Sequence, residues 1–146
     1  MSRYPLAIMV LLLGLAYGVG WLCPIPLGFG SLGRICGWAL LLGGAALLGM
    51  AADRFRRKGT TVNPTKQPDQ LVTDGLYRIS RNPMYLGMLM ILLGVPLVQA
   101  SLLGLLSPIL FFLWMDRTII PREEQVIGRF FGEPYQRYKM MTRRWL

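Results

Sequence analysis

The chain has no histidine at all. That absence removes the side chain that most often moves protons near neutral pH. With it go a histidine general base, a Ser-His-Asp or Cys-His nucleophile and an HExxH metal helix. Cysteine is nearly absent too: Cys23 and Cys36 are the only two, too few and too far apart for a zinc site, and no metal is expected. They can pair in an oxidising compartment or serve as small buried apolar groups. Acids are scarce as well, seven against sixteen Lys and Arg, for a net charge of +9. What is abundant is apolar surface: 53% of the 146 residues are hydrophobic and 16% charged, the balance of a membrane protein.

A bilayer core about 30 Å thick needs roughly 20 apolar helical residues, because every backbone polar group must be satisfied within the segment. Four stretches approach that length: Tyr4 to Leu22, Ser31 to Ala52, Pro83 to Val98 and Leu102 to Ile120. The expected fold is therefore all-α, a multi-pass bundle of about four transmembrane helices forming one domain over 1–146. A cofactor-side loop covers 53–82 and a cytoplasmic interfacial helical tail covers 121–146. The third segment is short, about 24 Å at helical rise, so it either tilts little, thins the bilayer or packs as a partly re-entrant helix. The first segment lacks a small-residue cleavage site and a second span follows almost at once, so it reads as a span and not as a signal peptide.

Charge sets the orientation. The segment from Asp53 to Arg81 holds seven basic residues and the chain from Arg117 onward holds seven more, whereas Cys23 to Gly30 holds none. The positive-inside rule then places both basic regions, and both termini, on the cytoplasmic side of a prokaryotic inner membrane. Because topology already accounts for the basic bias, no nucleic-acid partner is expected. The pairs Gly14/Gly18 and Gly33/Gly37 have the spacing that lets helices approach closely, within one chain or between two, and the oligomeric state stays open. Gly28, Gly30 and Gly33 spell GxGxxG, but no strand precedes them and no βαβ unit surrounds them, so no dinucleotide site follows.

Polar residues concentrate in two places. The run LVTDGLYRISRNPMYLG at 71–87 has a turn at Thr73 to Gly75 and a proline suited to the first position of a helix. Backbone N–H groups there, with Arg81 and Asn82, can meet an anion. It can equally be a capped helix start with interfacial arginine and tyrosine. The second concentration is Arg122-Glu123-Glu124 after Pro121, where two acids either line a site or complement the N-terminus of a cytosolic helix. Beyond them Ile127, Phe131, Tyr138, Met141 and Trp145 recur at helical intervals, a stripe expected to pack against the bundle or lie along the membrane.

These elements together resemble the isoprenylcysteine carboxyl methyltransferase and phospholipid methyltransferase families of integral-membrane enzymes that use S-adenosyl-L-methionine. The likeness runs from about Gln70 onward and rests on three pieces: residues 71–87, the pair Glu123-Glu124, and FFGEPYQRY from Phe130 to Tyr138. The resemblance implies that Asp69, Gln70, Leu71, Val72, Tyr77, Asn82, Pro83, Met84, Tyr85 and Glu123 line the methyl donor. It also implies an acceptor-binding arginine shortly before the acids, where both Arg117 and Arg122 qualify. Asn82 stands where the prenylcysteine enzymes have histidine, and it cannot titrate near neutrality.

Methyl transfer from a sulfonium is an in-line displacement that chiefly requires alignment and exclusion of water, without a metal. Glu123 can accept from the donor's ammonium or ribose, Arg81 and helix-start N–H groups can take its carboxylate, and tyrosine faces can approach its sulfonium or adenine. The expected acceptor is a small lipid-like or amphiphilic molecule entering from the membrane, with a carboxylate, thiol or amine as nucleophile. Arg117 or Arg122 would hold an anionic head group, and Glu124 is the nearest base for an amine. Two other readings stay open: a nicotinamide-dependent membrane reductase with a related helical core, and a non-enzymatic lipid-binding protein.

Overall fold

The computed structural model describes residues 4–23, 25–57 and 71–146. It is an all-α bundle, with isolated bridges and no strand among the described residues. Helix α1 spans Tyr4–Leu22 and α2 spans Gly30–Arg57. After a 3-10 turn at Gly75–Arg78, α3 covers Pro83–Gln99. A second 3-10 turn at Leu103–Leu105 leads into α4 (Leu106–Trp114), which passes through a π-helical turn at Met115–Ile119 into α5 (Ile120–Phe131). The last helix, α6, is Glu133–Met141.

Three helices are long and apolar enough to cross a membrane: Pro5–Leu22, Gly30–Arg54 and the continuous Leu103–Phe131. The protein is thus a membrane protein. The shorter apolar α3 begins where Pro83 fixes the first turn, and it ends where Ala100 turns left-handed at φ 53°. At 17 residues it rises about 26 Å. The fourth expected span does not stop at Ile120: its helix runs 29 residues to Phe131, about 44 Å, so its far end projects beyond a bilayer core and carries Glu123 and Glu124 with it. Pro121 lacks an N–H and its ring crowds the carbonyl four residues back, and the wider π turn just before it accommodates both effects.

Helices α2 and α3 lie antiparallel at backbone contact, and glycine makes this possible. A Cβ built on Gly87 would come within 2.8 Å of the Gly44 carbonyl, and one on Gly94 within 2.8 Å of the Gly37 carbonyl. The two pairs stand seven residues apart on each helix, so the same seam repeats after two turns. Of the expected small-residue positions, Gly37 is in this seam, whereas Gly14 and Gly18 face open space. Both cysteines are free and exposed, neither paired nor buried.

Two apolar cores follow. One joins α1, α3 and the fourth helix through Met9, Tyr85, Met88, Leu92, Phe111, Met115 and Ile120. The other gathers Ala51, Val72, Tyr77, Tyr135 and Tyr138 at the basic end. At the opposite end the two interhelical connections pair with each other, Leu27 N–H to the Ala100 carbonyl at 2.8 Å and Leu102 N–H to the Ile25 carbonyl at 3.0 Å.

Candidate active site

The basic end of the bundle holds a cavity of about 110 Å³ lined by Leu71, Val72, Tyr77, Arg81, Asn82, Ile120, Glu123, Glu124, Ile127, Phe131, Tyr135 and Tyr138. It adjoins a cleft of about 530 Å³ that shares Leu71 and Tyr138 and adds Thr73, Arg78 and Arg137. Residues from both polar stretches therefore meet. Asn82, at the start of α3, and Glu123, in the first turn of α5, face one cavity, although 41 positions separate them (123 − 82 = 41).

Glu123 is oriented from α3. The Tyr85 hydroxyl lies 2.8 Å from each of its carboxylate oxygens, and Tyr85 itself is buried. A carboxylate fixed in this way has little rotamer freedom left to lose on binding a cation. The neighbouring Glu124 is placed quite differently. Its oxygens take Arg81 at 3.1 Å, Lys139 at 3.2 Å and Arg144 at 3.2 Å. Three cations on one buried carboxylate hold it ionised and occupied, which is the geometry of an anchor and not of a base awaiting a proton.

Arg81 is nine-tenths buried, with one guanidinium nitrogen on Glu124 and another 3.4 Å from the Lys139 carbonyl. Its Nε–H is buried without a protein partner and the residue lines the cavity. The backbone N–H groups just before α3 are already used: that of Arg81 bonds the Arg143 carbonyl at 2.9 Å and that of Asn82 bonds Ser80 Oγ at 3.1 Å. The Asn82 side-chain amide donates to the Arg144 carbonyl at 3.0 Å. Of the side-chain donors expected at the helix start, the one without a partner is the Arg81 Nε.

The remaining walls are aromatic and aliphatic. The Tyr138 hydroxyl donates to the Tyr77 carbonyl at 2.6 Å, closing the segment just before α3 onto α6. Burial pushes the Tyr77 and Tyr138 hydroxyls well above the ordinary tyrosine range, and burial with the Glu124 charge pushes Tyr135 up to about 12. All three are neutral walls at any physiological pH. Tyr135 carried no signal of its own in the sequence, yet it stands three residues before Tyr138 in the FFGEPYQRY run, the helical spacing that puts both on one face.

Of the other expected site residues, Pro83 is buried at the first position of α3 and Met84 packs on the tyrosine core. Arg117 and Arg122 are exposed and line neither the cavity nor the cleft, so contact with an acceptor would come from outside them. Asp69 and Gln70 lie outside the described residues. The stripe on the tail buries Tyr138 and packs Ile127, Phe131 and Trp145 on the two cores, but Met141 stands 79% exposed. No group of acids and cysteines able to hold a metal occurs among the described residues.

The fold is thus a helical membrane bundle with a fixed carboxylate and a buried guanidinium lining one cavity at its basic end. A family model described as phospholipid methyltransferase matches residues 32–134, well over half the chain, and the protein belongs to that family of membrane methyltransferases, whose members generally use S-adenosylmethionine. A protein of Haemophilus influenzae described as uncharacterized is 43% identical over 63 residues, covering 43% of this chain and all of that protein. No solved structure matches.

Proposed function

We propose that the protein is an S-adenosylmethionine-dependent methyltransferase that works at the cytoplasmic face of the membrane on a small lipid-like or amphiphilic acceptor. The observation that carries this reading is that the Tyr85-fixed Glu123 and Arg81, whose buried Nε–H has no partner, line one cavity. An anionic acceptor on α5 and a cationic donor in the bend before α3 suit a zwitterionic amino-acid end, Glu123 taking the ammonium or a ribose hydroxyl and Arg81 the carboxylate. The aromatic and aliphatic walls suit an adenine, and the adjoining cleft supplies length that the small cavity lacks.

When bound, the donor supplies an electrophilic methyl whose bond to sulfur breaks as its bond to the acceptor forms. The chain's own part is to align and to dry the site. Tyr85 keeps Glu123 in place. Val72, Tyr77, Ile127 and Phe131 exclude water. Asn82 cannot serve as a base, and Glu124 is held by three cations, so proton removal is not assigned to either. An acceptor that is already anionic, a carboxylate or thiolate, needs none. Arg117 and Arg122, exposed beside the acids in sequence, are the candidates to hold its head group from the membrane side.

Calorimetry of the detergent-solubilised protein with S-adenosylhomocysteine tests the reading. Binding is expected, and Glu123→Ala is expected to weaken it by about tenfold or more. No heat of binding in several lipid compositions overturns the proposal.

A further inference from the structure

We propose that the C-terminal strap, with Arg144 as its key residue, positions the donor site by locking the start of α3 to the π turn and α5. This inference rests on the reading of the cavity as a methyl-donor site. The strap lies beyond residues 32–134, the part of the chain that the family model matches.

Two sets of contacts converge on the three residues of the strap, Arg143, Arg144 and Trp145. On the α3 side the strap runs parallel to Ser80 as an isolated bridge. The Arg143 carbonyl accepts from Arg81 N–H, and the Arg144 carbonyl accepts from Asn82 Nδ2 at 3.0 Å and Ser80 Oγ at 3.3 Å. On the fourth-helix side the Arg144 guanidinium forks. Its Nε and Nη2 meet the two oxygens of Glu124 at 3.3 and 3.2 Å, while Nη1 meets Asp116 Oδ1 at 3.1 Å. Trp145 Nε1–H donates to the same Asp116 oxygen at 2.9 Å, and its ring packs 5.1 Å from that of Phe112.

The two elements thus joined are those that carry the Tyr85–Glu123 pair. The pair is a contact between helices, so its geometry depends on the register of α3 against α5. Lys139 of α6 also reaches both sides, through Glu124 and Arg81, but the strap adds backbone bonds to the α3 start and a planar fork serving two carboxylates, which fixes that register more tightly than a point charge. Arg144 lines neither the cavity nor the cleft but bonds the lining residues Glu124 and Asn82, so it acts through them as a positioning residue.

The test combines two readouts on purified full-length protein. In Arg144→Ala, amide hydrogen exchange is expected to speed up at residues 80–87, and S-adenosylhomocysteine affinity to fall about tenfold. Arg144→Lys, which keeps the charge but not the fork, should lie between that variant and wild type. Trp145→Phe removes one donor and keeps the ring, and it provides a milder variant should Arg144→Ala not fold. Arg129→Ala, an exposed cation elsewhere on α5, should match wild type. In a Glu123→Ala background the Arg144 effect on affinity should shrink to within about twofold, since both act through one contact. Unchanged exchange at 80–87, or changed exchange with unchanged affinity, overturns the proposal. A wild type that binds no donor overturns the methyltransferase reading instead, and exchange alone then decides whether the strap holds α3.

Discussion

At the scale of single residues, the two adjacent glutamates show how environment assigns roles to like groups. Glu123 is aimed by one phenol toward a cavity, and Glu124 is held by three cations. Tyr85→Phe removes the orienting hydroxyl without changing the ring, so donor-analogue affinity should fall about tenfold with little loss of thermal stability, by calorimetry and a melting scan. The buried tyrosines give a pH signature. Unfolded tyrosine ionises near 10, whereas burial and the Glu124 charge push Tyr135 up to about 12. The folded state therefore keeps a proton that the unfolded chain releases between those values. Stability is full below about pH 10 and falls as pH rises from there toward about 12. Melting scans at about pH 9 and about pH 11 should show this fall, reduced in Tyr135→Phe. The acid pair past a long apolar run stood out in the sequence. The split between the two acids did not, because it depends on Arg144 and Lys139, cations that arrive from a helix and a strap further along the chain.

At the scale of elements, the α2–α3 seam and the end of α3 carry the most exposed physical claims. Gly87→Ala puts a methyl 2.8 Å from the Gly44 carbonyl, and backbone on both sides cannot yield without parting the helices. A loss of about 1 to 3 kcal/mol is expected from unfolding in detergent. Gly14→Ala meets open space and should change stability by less than about 0.5 kcal/mol. Ala100 ends α3 in the left-handed region at φ 53°, where a Cβ is strained. Ala100→Gly relieves that strain at some cost in unfolded-chain entropy, for a net gain of about 0.5 to 1 kcal/mol in the same assay. Spacing alone pointed to Gly14/Gly18 and Gly33/Gly37, yet the repeat that matters is seven residues long and split between two helices. A close approach belongs to a pair of surfaces, so half of it cannot be read from one of them.

At the scale of the whole molecule, the basic ends of the helices and the site coincide, so membrane topology and chemistry are one question. Cys23 lies in the connection between α1 and α2, at the end opposite the cavity, and is free and exposed. A membrane-impermeant maleimide added to intact cells should label Cys23 and should not label a cysteine introduced by Arg143→Cys until the cells are permeabilised. The reverse pattern would place the cavity outside. Hydropathy, the one-sided distribution of Arg and Lys, and the run at 71–87 determined by themselves that this is a helical membrane protein with its polar business at one end, since each is a property of local composition against a bilayer. The register of α3 on α2, the joining of Asn82 and Glu123 at one cavity, the capture of Glu124 by cations and the strap that fastens them were decided only by the tertiary structure. Each of those is a contact between segments far apart in the chain, and a linear pattern carries no distance between them.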